Sequence, residues 1–396
     1  MTRILIAGGG VAGLAAASAF AKFGLEPVVL EQAPALGEIG AGIQISPNGV
    51  NVLRALGLEA ALLEMACEPR HYHARSWKTG RALYKTPFNP ELQQRYGAGH
   101  YHIHRADLLE VLKRGVPDDA VILGERVTAI EQHAGRVIAI AGSGRRYEAD
   151  FLLGADGIHS VVRAALFGPD APRFTGNIAW RFTVDADKVD TAMIPRDSCN
   201  WHGPHGHVVM YYVSQWRRIN VVCIHETAEW VEESWSLLSG KEEVRAAYRG
   251  WHPVIHQLIE AAERINKWAL FDRDPMARWS KGRATLIGDA AHPMLPFLAQ
   301  GANQALEDAW VLAACLARDP SPAALEAYQA ARLPRTSRVQ LATRARAQTM
   351  HEASPWKRFL RDVRFRLGDV LNRQRTKHNV EWVYEVDVTR EAGGAA

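Results

Sequence analysis

Residues 1–31 constrain this chain more than any other stretch. Arg3-Ile4-Leu5-Ile6-Ala7 is a short apolar run of the kind that forms a buried parallel strand. It leads directly into Gly8-Gly9-Gly10-Val11-Ala12-Gly13, where Gly8, Gly10 and Gly13 hold the GxGxxG spacing. Leu14 to Phe23 reads as an Ala-rich helix stopped by Gly24, and Pro27-Val28-Val29-Leu30 as a second strand ending on Glu31. A dinucleotide-binding βαβ unit gives each part a task. Gly8 permits a tight turn, Gly10 lets the main chain approach a pyrophosphate, and Gly13 allows close packing of helix on strand. The helix N-terminus offers N–H groups and positive dipole to phosphate. Glu31 is placed to accept hydrogen bonds from a ribose hydroxyl. A plain Gly-rich turn accounts for the glycines, but not for strand, helix, second strand and terminal acid in this register.

Composition narrows the class. At 396 residues the chain has room for two or three packed domains around a large core. Its 47% apolar and 23% charged content is that of an ordinary globular enzyme, and a net charge of +4 argues against nucleic acid as a partner. Cys67, Cys199, Cys223 and Cys315 form no CxxC pair, so they read as reduced thiols rather than a disulfide frame or zinc site. With a strand starting at Arg3, no signal peptide is expected, nor a membrane span, and the cytoplasm is the expected location.

Further along, Gly37 to Ile45 is rich enough in glycine to run beside a flat ligand, although a flexible loop would look the same. Ser46 to Ala61 reads as a helix, residues 70–100 as an aromatic-rich β-ribbon, and His102 to Lys113 as a helix carrying Arg105 near its start. Arg105 there suits a phosphate or a surface position equally. Val121–Ile130 and Arg136–Ala141 make a hairpin. Phe151-Leu152-Leu153 then feeds a second strand–turn–helix through Gly154-Ala155-Asp156-Gly157. Alternating apolar residues between Phe174 and Ile224 predict a multi-stranded antiparallel sheet, and Trp230 to Asn266 reads as helical with breaks at Gly250 and Pro253. Near the end Ala284-Thr285-Leu286-Ile287 is another buried strand, followed by Gly288-Asp289, His292-Pro293, Pro296, Gln300 and a helix entered through Gly301, Ala302 and Asn303. An acid at a strand end followed by a helix N-terminus suits a ribose or ribitol hydroxyl beside an anion.

These three motifs in this order resemble those of the group A flavoprotein monooxygenases, the aromatic hydroxylases related to para-hydroxybenzoate hydroxylase. The resemblance extends to about Leu333. It implies FAD as cofactor and NADH or NADPH as co-substrate. It also implies an α/β fold in which a Rossmann-type FAD-binding domain carries an inserted antiparallel substrate sheet and ends in helices. The FAD site would take Gly8, Gly10, Gly13, Glu31 and Arg105, with Asp156-Gly157 as the motif serving both FAD and NAD(P)H. Gly288-Asp289 would hold the ribitol and pyrophosphate, with Pro296, Gly301, Ala302 and Asn303 beside them. On this basis residues 1–75, 101–172 and 271–335 build the FAD domain, 76–100 a ribbon of the substrate domain, 173–270 its sheet, and 336–396 C-terminal helices.

Within the family the chain looks most like the single-component salicylate and 3-hydroxybenzoate 6-hydroxylases. His207 and Tyr211 lie at even spacing in one strand, so both face one side of a sheet. The resemblance makes His207, Tyr211 and Gln300 the catalytic set at a substrate phenol. It implies O₂ activation as a flavin C4a-hydroperoxide, with 3-hydroxybenzoate the favoured substrate and salicylate or another, hydroxylated heteroaromatic ring the alternative. Nicotinate hydroxylases place a His near the position of Phe297, which counts against that ring. A flavin-dependent halogenase would need a WxWxIP signature that the chain lacks; a non-hydroxylating NAD(P)H oxidase or flavin-binding protein is the rival of another class. His202, His205 and His225 lack a carboxylate at ligand spacing and read as ordinary strand or loop residues, so no metal is expected. The basic, amphipathic stretch Pro355–Gly368 reads as a helix packed on the body, or else as a homodimer or lipid contact.

Overall fold

A five-stranded parallel sheet forms the first layer, in the order Ala284–Leu286, Phe151–Gly154, Arg3–Ala7, Glu26–Glu31, Val121–Leu123. The strand Arg3–Ala7 occupies the middle, which is why four of its five residues are buried. Its crossover helix, Val11–Lys22, is lined by Leu14, Ala15, Ala16, Ala17, Ala19 and Phe20, all removed from solvent. Such small side chains let the helix Gly301–Arg318 pack against it from the other end of the chain. The computed structural model describes residues 1–37, 41–228, 237–351 and 380–393, with Ser354, Trp356, Lys357, Leu360 and Val363.

The second layer is a seven-stranded sheet in the order Asn266–Asp272, Arg173–Asp185, Arg218–Glu226, Gly206–Val213, Ser198–Gly203, His71–Ser76, Ala82–Pro87. All its pairs are antiparallel except Ser198–Gly203 with His71–Ser76. Along Gly206–Val213 the even positions Val208, Met210 and Tyr212 enter an apolar core with Trp180, Trp201 and Tyr248. The odd positions His207, Val209 and Tyr211 face the other way, into a cavity. The sheet therefore acts as a wall with one dry face and one chemical face.

Several expected elements come out differently. His102 does not open a helix: Tyr101–His104 is a strand paired antiparallel with Gly42–Ile45, and the helix begins at Arg105. Tyr101, His102 and Ile103 are all buried, so no alternation marks the strand, and its partner lies far upstream, out of reach of local pattern. Ser46–Ala61 is two helices, Pro47–Ala55 and Glu59–Met65, divided at Gly57 where φ is +82°. The expected strand Val121–Ile130 splits into Val121–Leu123, an edge of the parallel sheet, and Val127–His133, part of a three-stranded sheet. The ribbon expected over 70–100 opens with the strand His71–Ser76, but Glu91–Tyr96 within it is helical. In the stretch read as helical from Trp230, residues 229–236 lie outside those described. Lys241–Ala247 and Pro253–Ala261 are helices, and Asn266 begins an edge strand. Most of Pro355–Gly368 also lies outside the described residues. The four cysteines are free thiols, and no described helix is long and apolar enough to cross a membrane.

Candidate active site

The carboxyl ends of the parallel strands and the chemical face of the seven-stranded sheet enclose one cavity of about 1190 Å³. That exceeds the roughly 300–1,000 Å³ of ordinary small-molecule sites, leaving room for a dinucleotide and a ring together.

The first wall is main chain. Gly8 has φ +104°, and a Cβ there would sit 2.6 Å from the Ala155 carbonyl oxygen. A Cβ on Gly13 would sit 1.9 Å from the Gly8 carbonyl oxygen, so turn, helix and strand interlock only with glycine at both places. Around Gly10 nothing lies within 4 Å of that position, and the residue lines the cavity. A ligand can thus come directly against its backbone, as a pyrophosphate requires. Glu31 is oriented by the Gly9 and Ala33 N–H groups, which donate to its two oxygens at 2.6 and 2.8 Å.

Gly157, Arg105, Asp289, Pro296, Gly301 and Ala302 also line the cavity. Asp289 opens into the cavity although the cavity itself is sunk in the protein. Burial raises its pKa, opposed by the charges of His292 and Arg105. Open glycine backbone, a carboxylate facing the cavity and the N-terminus of an 18-residue helix are donor and acceptor groups that suit a dinucleotide.

Three expected ligands also have side-chain partners within the protein. The Asp156 carboxylate accepts from the Ser160 hydroxyl and, at 3.1 Å, from the Val162 N–H, fixing its own turn onto the helix Val161–Phe167. The Asn303 side chain accepts from Ser46 N–H at 3.0 Å and donates to the carbonyls of Gln44 and Ala299, which staples the Gly42–Ile45 strand to the helix. The amide of Gln300 donates to the Ser46 hydroxyl at 2.9 Å and accepts from Asn48 at 3.1 Å. Gln300 also lines the cavity, so it stands between this buried polar network and the space a ligand would fill. Side chains this polar and this buried are drawn to whatever partners the interior offers.

Behind that network stands a buried ionic cluster. Arg332 donates to Asp308 at 2.8 Å and to Glu307 at 2.5 Å, and His292 meets the other Asp308 oxygen at 2.5 Å. That same oxygen accepts from the Gly288 N–H at 3.3 Å, so the cluster holds the turn that presents Asp289.

The second wall is side chains from adjacent strands: Arg181, Val222 and Ile224, His207, Val209 and Tyr211, then Asn200. His207 is buried with its Nδ1 2.7 Å from Nε2 of His351, and Phe297 lies against its ring. Burial and the nearby His351, His202 and Arg346 lower its pKa well below the usual histidine value, so its imidazole is neutral at pH 7. Tyr211 is buried against His102, and burial raises its pKa, which keeps it a phenol and a donor. Gly42 passes over it so closely that a Cβ would fall 2.6 Å from the Tyr211 ring, which explains a glycine there without any flexible loop. Sequence reading passed over Arg181. Burial lowers its pKa to about 10, its guanidinium stacks 4.4 Å from the Trp268 ring, and among the described residues no carboxylate pairs with it. Its only sequence signal was a cation inside an apolar strand. Away from the cavity, His71, His73 and Asp197 come together with ligand atoms within 4.8 Å of one another, a trio the sequence did not single out.

A family model described as FAD binding domain matches residues 1–343. The chain belongs to that family. A 3-amino-4-hydroxybenzoate 2-monooxygenase of Streptomyces platensis is 42% identical, covering 96% of this chain and 95% of its own length. A 6-hydroxynicotinate 3-monooxygenase of Pseudomonas fluorescens is 37% identical over 85% of this chain and 89% of its own. A 3-hydroxybenzoate 6-hydroxylase of Polaromonas naphthalenivorans is 35% identical over 96% and 95%. Among solved structures, Klebsiella pneumoniae HpxO complexed with FAD and uric acid superposes with a TM-score of 0.83 at 28% identity, covering 93% of this chain and 94% of that one. This FAD-dependent aromatic monooxygenase therefore has the cofactor, the fold and the reaction class that its three motifs implied.

Proposed function

We propose that this monooxygenase hydroxylates an electron-rich benzoate bearing a ring hydroxyl, with 3-amino-4-hydroxybenzoate ahead of 3-hydroxybenzoate. The observation that carries the reading is the placement of His207 and Tyr211 on one sheet face, across a single cavity from the glycine turns. The preference between acids follows relatedness, 42% against 35% identity.

Bound FAD, reduced by NADH or NADPH, would supply the O₂ activation that hydroxylation needs. Gly8, Gly10 and Gly13 with Glu31 would hold its ADP half, and Arg105, Asp289 and the Gly301–Ala302 amides the remainder. The protein's own part is to bind and polarise the ring. Tyr211 donates a hydrogen bond to the substrate hydroxyl oxygen. Neutral His207 accepts the proton from that hydroxyl, which raises electron density on the ring carbons ortho and para to it. Arg181 supplies the positive charge for the carboxylate. Val209, Val222, Ile224 and Phe297 make the rest of the pocket apolar and keep water from the reacting carbon.

The test offers the FAD-loaded enzyme 3-amino-4-hydroxybenzoate, 6-hydroxynicotinate, 3-hydroxybenzoate and salicylate, each with NADH and with NADPH. We expect coupled consumption with the first acid, giving a product heavier by one oxygen and with its carboxylate retained. Product from another acid alone would move the substrate assignment; NAD(P)H oxidation without product from any would remove the reading.

A further inference from the structure

Beyond the cavity wall, His207 leads somewhere. Its Nδ1 lies 2.7 Å from Nε2 of His351, and Nδ1 of His351 lies 3.3 Å from a carboxylate oxygen of Glu226. His207 is 1% exposed and His351 4%, whereas the Glu226 side chain is 43% exposed and reaches solvent beside His205. His207 lines the cavity and His351 does not. Two buried imidazoles and a surface carboxylate therefore form a continuous line from the cavity to water. We propose that His207, His351 and Glu226 are a proton path, with His351 the relay through which the proton of a bound phenol leaves.

Donor and acceptor rules fix the direction. A carboxylate has only acceptors, so His351 must carry hydrogen on Nδ1 to bond Glu226. A neutral His351 then presents a bare Nε2, and the 2.7 Å contact requires hydrogen on Nδ1 of His207. That leaves Nε2 of His207 with a free lone pair as the atom available to take a proton. Both rings are neutral at pH 7. His207 is kept so by burial and by His351, His202 and Arg346; for His351, burial outweighs the opposing pull of Glu226, with His225 and His205 adding to it. Transfer is balanced: the phenol O–H breaks and a bond to His207 Nε2 forms, while Nδ1 of His207 passes its proton to Nε2 of His351. Nδ1 of His351 then gives its proton to Glu226 and on to water. No electrons change hands, and the substrate is left as a phenolate.

The inference rests on the reading that the substrate is a phenol, and the test separates the two. His351→Gln keeps one acceptor for His207 and one donor for Glu226 but cannot pass a proton. In weakly buffered solution with an indicator dye, mixing FAD-loaded enzyme with 3-amino-4-hydroxybenzoate should release a proton. In His351→Gln that release should slow by about tenfold or more with FAD content unchanged, and in His351→Ala added imidazole should restore it. Release at the wild-type rate in both variants overturns the relay. The tautomers need no ligand: nitrogen NMR of histidine-labelled, FAD-loaded enzyme should show His207 protonated on Nδ1 only. Protonation on Nε2 overturns the relay whether or not any acid binds, while failure of the acid to bind with correct tautomers overturns the substrate reading instead.

Discussion

The two walls of the cavity are built on different principles. The cofactor wall is main chain, shaped by glycines at Gly8, Gly10 and Gly13 and held from behind by the cluster of Arg332, Glu307, Asp308 and His292. The facing wall is a row of side chains, Arg181, His207, Tyr211 and Asn200, standing on strands whose other face is an apolar core. One wall recognises a constant cofactor through geometry that few sequences can satisfy. The other recognises a variable ring through groups that can be exchanged without moving the backbone. Relatives acting on different rings can share the first and differ in the second.

The sharpest way to break this contrast is Arg332→Ala. It removes the guanidinium that Glu307 and Asp308 share, leaving Glu307 to Arg335 and Asp308 to His292, a loss on the order of 3 kcal/mol. Denaturant unfolding of the variant measures it, and a change under about 1 kcal/mol would mean the cluster does not support the cofactor wall. His207→Ala should next cut hydroxylation about a hundredfold, roughly 2.7 kcal/mol, while FAD affinity stays put. Single-turnover kinetics with matched flavin titrations read both, and parallel losses would show that the walls are not separable. Asp289→Ala makes the reciprocal case. Losing one acceptor to the cofactor should weaken FAD by about ten- to a hundredfold, and flavin fluorescence on titration reports it. Full affinity in that variant would remove Asp289 from the cofactor set.

The smallest effect concerns acid. Burial pushes the Asp197 carboxyl up, but hydrogen bonds from His73 and from the His71 and Arg70 amides outweigh it and hold the group at about 2. A depressed carboxyl stabilises the fold fully above its unfolded value, about 3.9, and loses that contribution as pH falls toward the folded value. Urea unfolding between about pH 4 and 2 should therefore be less pH-dependent in Asp197→Asn. An unchanged slope would show that the strands His71–Ser76 and Ser198–Gly203 do not depend on this contact.

The same contrast explains what could be read in the sequence. Glycine spacing encodes a backbone path over a few residues, so the turns at Gly8–Gly13 and Gly288–Asp289 were legible, and so was the alternation that sends His207 and Tyr211 to one face. Contacts made across the fold were not. Tyr101–His104 looked helical because its partner strand, Gly42–Ile45, lies elsewhere in the chain. Nothing local reveals that Ser46 and Asn48 engage the side chains of Gln300 and Asn303. His351 carries no motif at all, and only the fold brings it to His207.

The interlock of Gly8 and Gly13 also bears on how such a protein can be remodelled. With the carbonyl of one occupying the Cβ space of the other, the pair behaves as a single locked part, and a library randomised at both should return glycine almost uniformly. Val209, Val222 and Asn200 face the same cavity without any such interlock. Selection for a new ring would find its variation there, and the loaded flavin would go along unchanged.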